Sequence, residues 1–131
     1  MQNSKIRVFI VSLPGISQRM LENVFCSRDA VNLVGTAEGG LSALKEIKDL
    51  KPQVIVIDTN LPHTEAAELT HAIKASDFNP ITLILVETSQ QIEQANKIGP
   101  DYVLLSYDLS CRLNNVLKEI GSKLNIKNQK N

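Results

Sequence analysis

The sequence predicts an α/β protein in which a parallel sheet is covered by helices on both faces. Short runs of aliphatic residues alternate along the chain with segments whose apolar residues recur at helical spacing. All five prolines, at positions 14, 52, 62, 80 and 100, fall between these segments, where proline interrupts neither a helix nor a strand. Strict alternation of strands and helices favours parallel pairing through right-handed crossovers.

The strand prediction is clearest at Val54–Ile57, where four consecutive aliphatic residues lie between Pro52 and Pro62. An unbroken apolar run of that length is typical of a strand buried on both faces of a parallel sheet. The five predicted strands are Ile6–Val11, Val31–Thr36, Val54–Ile57, Thr82–Val86 and Tyr102–Leu105.

Five helices are predicted from apolar stripes that follow the strands. The stripe of the first helix consists of Ile16, Met20, Leu21, Val24 and Phe25. That of the last consists of Leu113, Val116, Leu117, Ile120 and Leu124. Five strands alternating with five helices fit a flavodoxin-like three-layer sandwich with sheet order 2-1-3-4-5. We expect one domain over residues 1–124, followed by a polar tail or the start of a linker at 125–131.

Composition narrows the possible functions. The 14 basic and 14 acidic side chains cancel, so no electrostatic footprint for direct nucleic-acid binding is present. The longest apolar runs are far shorter than the about 20 residues of a membrane span, and no signal-peptide core is recognisable. The two cysteines, Cys26 and Cys111, have no metal-ligand spacing. A cytoplasmic protein without membrane contact is expected.

Enzyme and cofactor motifs are not found in the sequence. The segment from Gly35 to Gly40 follows a strand, but no lysine follows its glycines, so it matches neither a P-loop nor a dinucleotide-binding turn. No nucleophile elbow surrounds Ser12 or Ser106. The sequence therefore predicts no enzymatic activity and no cofactor. A flavodoxin-like domain that binds a small molecule at its strand ends is retained as an alternative.

One carboxylate is placed for chemistry. Asp58 directly follows the aliphatic run of the third strand. Open α/β sheets hold their ligands and reactive groups at the carboxyl ends of the strands, which is where Asp58 is expected to lie.

Four segments, in order, resemble the receiver domain of bacterial response regulators, particularly the NarL/FixJ group. The segments are Lys5–Ile10, Val31–Ala37, Val54–Pro62 and Gly99–Leu105. The resemblance covers about residues 5 to 124. It implies a phospho-acceptor at Asp58, which in this family receives a phosphoryl group from a histidine kinase. It also implies a Mg²⁺ ion held by the acceptor, by an acidic pair after the first strand and by a backbone carbonyl, with a lysine and a hydroxyl beside the phosphoryl group.

The chain departs from that pattern at most of these positions. Ser12 and Leu13 stand in place of the acidic pair, and Ser106 in place of the lysine. The hydroxyl position falls on Glu87, with Thr88 next to it, whereas Asn60 keeps the backbone carbonyl, as any residue would. We therefore expect an atypical receiver or pseudo-receiver without a metal site, in which Mg²⁺ would be a cofactor only if Asp58 is a working acceptor.

Two interpretations of Asp58 remain open at this stage. It is either a residual carboxylate that accepts hydrogen bonds from Ser12, Ser106 or backbone amides, or a residue that is still phosphorylated as in a conventional receiver. The first interpretation predicts signalling through protein contacts with a histidine kinase or an effector domain. The expected surface, which would also serve a homodimer, is the face formed by the fourth helix, fifth strand and fifth helix. It includes Gln90, Gln94, Lys97, Arg112 and Asn115.

Overall fold

The computed structural model describes residues 5–58 and 65–129 and contains the predicted parallel sheet. Its strands are β1 (Ile6–Val11), β2 (Val31–Ala37), β3 (Val54–Asp58), β4 (Ile81–Val86) and β5 (Tyr102–Leu105). All neighbouring strands are parallel, and their order is β2-β1-β3-β4-β5. The predicted flavodoxin-like fold is confirmed.

Within the described residues, four helices connect the strands, and a short 3-10 helix and a fifth helix follow β5. The helices are α1 (Ile16–Cys26), α2 (Gly40–Leu50), α3 (Glu65–Lys74), α4 (Gln90–Ile98) and α5 (Leu109–Gln129), and the 3-10 helix spans Ser106–Asp108. The backbone of α5 continues beyond residue 124, where the sequence places the end of the domain. None of the helices in the described part of the chain has the length and apolar character that a membrane span requires.

Two hydrophobic clusters, one on each face of the sheet, form the core. Side chains of α1 and α5 pack with Val8 and Ile10 of β1 on one face. Side chains of α2, α3 and α4 pack with Phe9 and Val11 of β1 on the other. Adjacent residues of β1 thus point to opposite faces, and the strand is buried on both sides, as its unbroken apolar sequence indicates.

The apolar stripe predicted for α1 is wrong in part. Leu21 and Phe25 are buried, but Ile16 is 74% exposed and Met20 is 60% exposed. Each residue turns the helix by about 100°, so Met20 lies about 100° and Ile16 about 140° around the helix from Leu21. Both therefore project away from the sheet and leave apolar surface open to solvent.

The side chain of Arg7 connects β1 to the carboxyl end of α2 through hydrogen bonds, and we call this contact the Arg7 clamp. Its Nη1 donates to the carbonyl of Lys51 at 2.8 Å, and its Nη2 donates to that of Leu50 at 2.6 Å. The backbone amide of Arg7 also donates to Gln53 Oε1 at 2.9 Å. A guanidinium at a helix C-terminus satisfies the terminal carbonyls and complements the helix dipole, so this clamp stabilises the turn between α2 and β3.

A register shift between β1 and β2 brings a glycine against a buried ring. Val8 pairs with Leu33, whereas the next residue, Phe9, pairs with Gly35. A Cβ atom at Gly35 would lie 2.8 Å from Phe9 Cε2 and 3.3 Å from Leu50 Cδ1. The ring of Phe9 thus fills the space that a side chain at position 35 would need.

Candidate functional site

Asp58 lies at the carboxyl end of β3, in the middle of the sheet. It is 4% exposed. On one side it pairs with Leu85 of β4. On the other side Val11, the last residue of β1, pairs with Ile57, so Ser12 follows β1 at the level of Asp58. The sheet register therefore brings Ser12 and Asp58 together.

Ser12 is fully buried and contacts the carboxylate directly. Its hydroxyl lies 3.3 Å from Asp58 Oδ2 and 3.2 Å from the carbonyl oxygen of Leu13. One hydroxyl proton serves both acceptors, and both distances exceed the about 2.5–2.7 Å of a strong hydroxyl–carboxylate bond. The hydrogen bond is therefore weak, but it gives a buried carboxylate a neutral donor where water has been excluded.

The backbone of Ser12 is held from two directions. Its amide donates to the carbonyl of Ala37 at 3.0 Å, which extends the pairing of β1 with β2. Its carbonyl accepts a hydrogen bond from Gln18 Nε2 at 3.1 Å. Gln18 belongs to the first turn of α1 and was not singled out from the sequence. These contacts position the Ser12 hydroxyl beside Asp58.

Leu13 begins the turn into α1. Its side chain is 39% exposed, so it does not close over Asp58 as part of the core. The turn continues through Gly15, whose φ of 127° is a conformation that glycine adopts without strain. An exposed apolar side chain therefore occupies the second position after β1.

Glu87 and Thr88 follow β4 at the same edge of the sheet, and both are exposed. Their backbone amides donate to one acceptor, Gln91 Oε1, at 2.8 Å and 3.2 Å respectively. The amide of Gln91 in turn donates to the carbonyl of Thr88 at 3.1 Å. The segment Thr88–Gln91 has the T-x-x-Q spacing of a capping box, although the N-cap of α4 is Ser89, and this spacing is a sequence signal that could have identified Gln91.

The remaining predicted site residues lie at the margin of the site or outside the described part of the chain. Ser106 is exposed and opens the 3-10 helix between β5 and α5. Asn60 lies outside the described residues. Ser12 and Asp58 are thus hydrogen-bonded to each other, and the amides of Glu87 and Thr88 are hydrogen-bonded to Gln91. Ser106 is exposed on the surface.

Sequence comparisons relate the chain to parts of longer proteins. It is 27% identical over 131 residues to a protein-glutamate methylesterase/protein-glutamine glutaminase of Koribacter versatilis, which covers 96% of this chain and 36% of that protein. It is 33% identical over 94 residues to the Methanococcus maripaludis enzyme of the same name, covering 72% and 26%. The chain therefore spans about a third or less of the curated relatives it matches. No family model matches the sequence.

Solved structures with the same fold are receiver domains. The receiver domain of NarL from Mycobacterium tuberculosis superposes with a TM-score of 0.73 at 21% identity, covering 88% of this chain and 98% of the other. The response regulator domain of Thermotoga maritima CheB superposes with a TM-score of 0.66 at 24% identity, covering 92% and 97%. The chain has the fold of response-regulator receiver domains.

The described residues around Asp58 include few groups that could hold a metal ion. Within residues 5–58 and 65–129, no cluster of three or more histidine, cysteine, aspartate or glutamate side chains is arranged to bind one. Around Asp58 the receiver presents the Ser12 hydroxyl and an apolar Leu13 in the two positions after β1. Proteins bind Mg²⁺ mainly through carboxylates and substrate phosphates. Since Ser12 and Leu13 carry no carboxylate, Asp58 is the carboxylate that this part of the site offers to the ion.

Proposed function

We propose that this receiver domain signals through protein contacts and does not depend on metal-assisted phosphorylation of Asp58. The observation that carries the proposal is the pairing of Asp58, 4% exposed, with the hydroxyl of Ser12 at 3.3 Å. A neutral donor lies where the family places an acidic side chain. The Ser12 hydroxyl thus gives the buried carboxylate a neutral hydrogen-bond donor.

Energetics support the same proposal. Phosphoryl transfer is catalysed mainly by positioning and by stabilisation of charge on the transferred oxygens. Two unit charges about 4 Å apart interact by about 4 kcal/mol at an effective dielectric of 20, so a missing lysine removes a contribution of that order. Each 1.36 kcal/mol is a factor of ten in rate. With Ser106 at the lysine position and Ser12 and Leu13 at the acidic pair, transfer to Asp58 would be slower by about a thousandfold or more.

Exposed apolar residues support the proposal that the domain signals through contacts with other proteins. Among the described residues, the large hydrophobic side chains that remain exposed are Leu13, Ile16, Met20 and Tyr107. The first three lie on the loop into α1 and its outer face, and we call them the α1 patch. Exposed apolar side chains grouped in one segment are a feature of protein-contact sites, and a histidine kinase or an effector domain is the proposed partner.

The α4–β5–α5 face predicted from the resemblance has a different character. Its α4 residues Gln90, Gln94 and Lys97 are exposed and polar. A homodimer through that face stays a prediction. The methylesterase activity named for the curated relatives belongs to proteins of which this chain matches 36% or less, and we assign no such activity to this domain.

Incubation with acetyl phosphate and Mg²⁺ tests the proposal. We expect the intact mass of the protein to stay unchanged, because the groups that would bind Mg²⁺ and stabilise the transferred phosphoryl group are replaced. A conventional receiver treated in parallel shows that the reagent is active, and Asp58→Ala serves as the matched variant. A Mg²⁺-dependent gain of one phosphoryl group in the parent protein, lost in Asp58→Ala, would show instead that Asp58 is a working acceptor.

A further inference from the structure

The loop between β4 and α4 is held by one side chain. Gln91 Oε1 accepts hydrogen bonds from the amides of both Glu87 and Thr88, at 2.8 Å and 3.2 Å. Two consecutive amides that converge on one oxygen require a specific backbone conformation. Because Gln91 belongs to the first turn of α4, this contact couples the loop conformation to the position of the helix.

The same loop is the path by which the state of Asp58 could reach α4. Asp58 pairs with Leu85, and Glu87 lies only two residues further along the chain. Backbone amides near a helix N-terminus are donors for an anionic group, and the amides of Glu87 and Thr88 are such donors at this edge of the sheet. In this receiver both amides already have an acceptor within their own chain.

We propose that Gln91 locks the β4–α4 loop and thereby uncouples the position of α4 from the state of Asp58. The inference rests on the proposed function, in which protein contacts do not depend on phosphorylation of Asp58. Gln91 supplies the hydrogen-bond acceptor from within α4. The helix is then positioned by a contact that does not involve Asp58.

Amide hydrogen exchange measured by NMR tests the lock. In Gln91→Ala and in Gln91→Asn, which is one methylene shorter, we expect exchange of the Glu87 and Thr88 amides to accelerate about tenfold or more, because each loses its intramolecular acceptor. Gln91→Glu retains an acceptor of the same reach and should preserve the protection. Gln94→Ala, an exposed position on the same helix, is the matched control. Amides of Ile84 and Leu85 report whether the whole sheet has opened.

The uncoupling itself is tested by a second substitution. We expect Asp58→Asn to leave the amide shifts of residues 90–98 unchanged in the parent protein and to move them when Gln91→Ala is also present. Equal shifts in both backgrounds, unchanged exchange in Gln91→Ala, or a failure of Gln91→Glu to restore protection would each overturn the inference. The acetyl phosphate experiment measures the intact mass, whereas the role of Gln91 is measured by amide exchange and chemical shifts. A failure of the proposed function can therefore be distinguished from a failure of this inference.

Discussion

Replacing Ser12 and Leu13 by aspartate and Ser106 by lysine should turn Asp58 into a Mg²⁺-dependent phosphoryl acceptor. The two new carboxylates would give Mg²⁺ the oxygen ligands it requires, and the lysine would stabilise the transferred group. A contribution of about 4 kcal/mol from the lysine alone corresponds to about a thousandfold in rate. Ser106 is exposed, so a lysine fits there without a change in the core. The rate of phosphoryl incorporation from acetyl phosphate, followed by intact mass, measures the effect.

The same substitutions should make stability depend on Mg²⁺. Ser12 is fully buried against Asp58, so an aspartate at position 12 places two carboxylates side by side, and their repulsion lowers the free energy of unfolding. A cation that binds only the folded state restores it. The triple variant should therefore melt at a higher temperature with Mg²⁺ than without, whereas the parent should not respond. Adding Asp58→Asn is the control that must abolish phosphorylation. If the triple variant binds Mg²⁺ but is not phosphorylated, loop residues other than those at positions 12, 13 and 106 must also prevent the reaction.

Gly35→Ala should lower the free energy of unfolding by about 1–3 kcal/mol, the usual cost of overpacking a core. The added methyl group would meet Phe9 Cε2 at 2.8 Å, and the ring of Phe9 is fully buried and has no solvent to move into. Replacing glycine by alanine in a strand otherwise gains about 0.5–1 kcal/mol, so strain outweighs the entropic benefit. Urea unfolding monitored by circular dichroism measures the change.

Gly121→Ala is the matched control for this substitution. Gly121 lies within α5, and a Cβ atom there meets nothing within 4 Å. The variant should be more stable than the parent by about 0.5–1 kcal/mol, because alanine is the better helix former. In the Gly35→Ala background, Phe9→Leu should recover part of the lost stability by removing the ring edge. Equal stability of Gly35→Ala and the parent would show that the sheet shifts to accommodate the methyl group.

The strands were predictable because their signals are local. Aliphatic runs between prolines define a buried strand without reference to the rest of the chain, and the observed strands differ from the predicted ones by one residue at Ala37, Asp58 and Ile81. The proximity of Ser12 to Asp58 was also within reach of the sequence, because parallel strands end at one edge of the sheet.

The features that could not be predicted from the sequence depend on how helices and turns are oriented against the sheet. An apolar residue in a helix is predicted to be buried, but the rotation of α1 against the sheet leaves Ile16 and Met20 exposed. The contact of Gln18 with Ser12 depends on the path of the intervening turn, which no residue pattern specifies. Gln91 did have a sequence signal, since T-x-x-Q before a helix is a recognised cap.

The hydrogen bonds of Arg7 affect which part of the domain unfolds first. Three central segments meet at Arg7, since β1 pairs with both β2 and β3 while the guanidinium holds the end of α2. Residues 5–58 thus contain a three-stranded sheet of their own, and β4 and β5 extend that sheet from the edge of β3. Cooperative units of this kind open separately in native proteins. We expect the carboxyl-terminal strands to be released first, which amide exchange rates that are slower in β1 than in β5 would show.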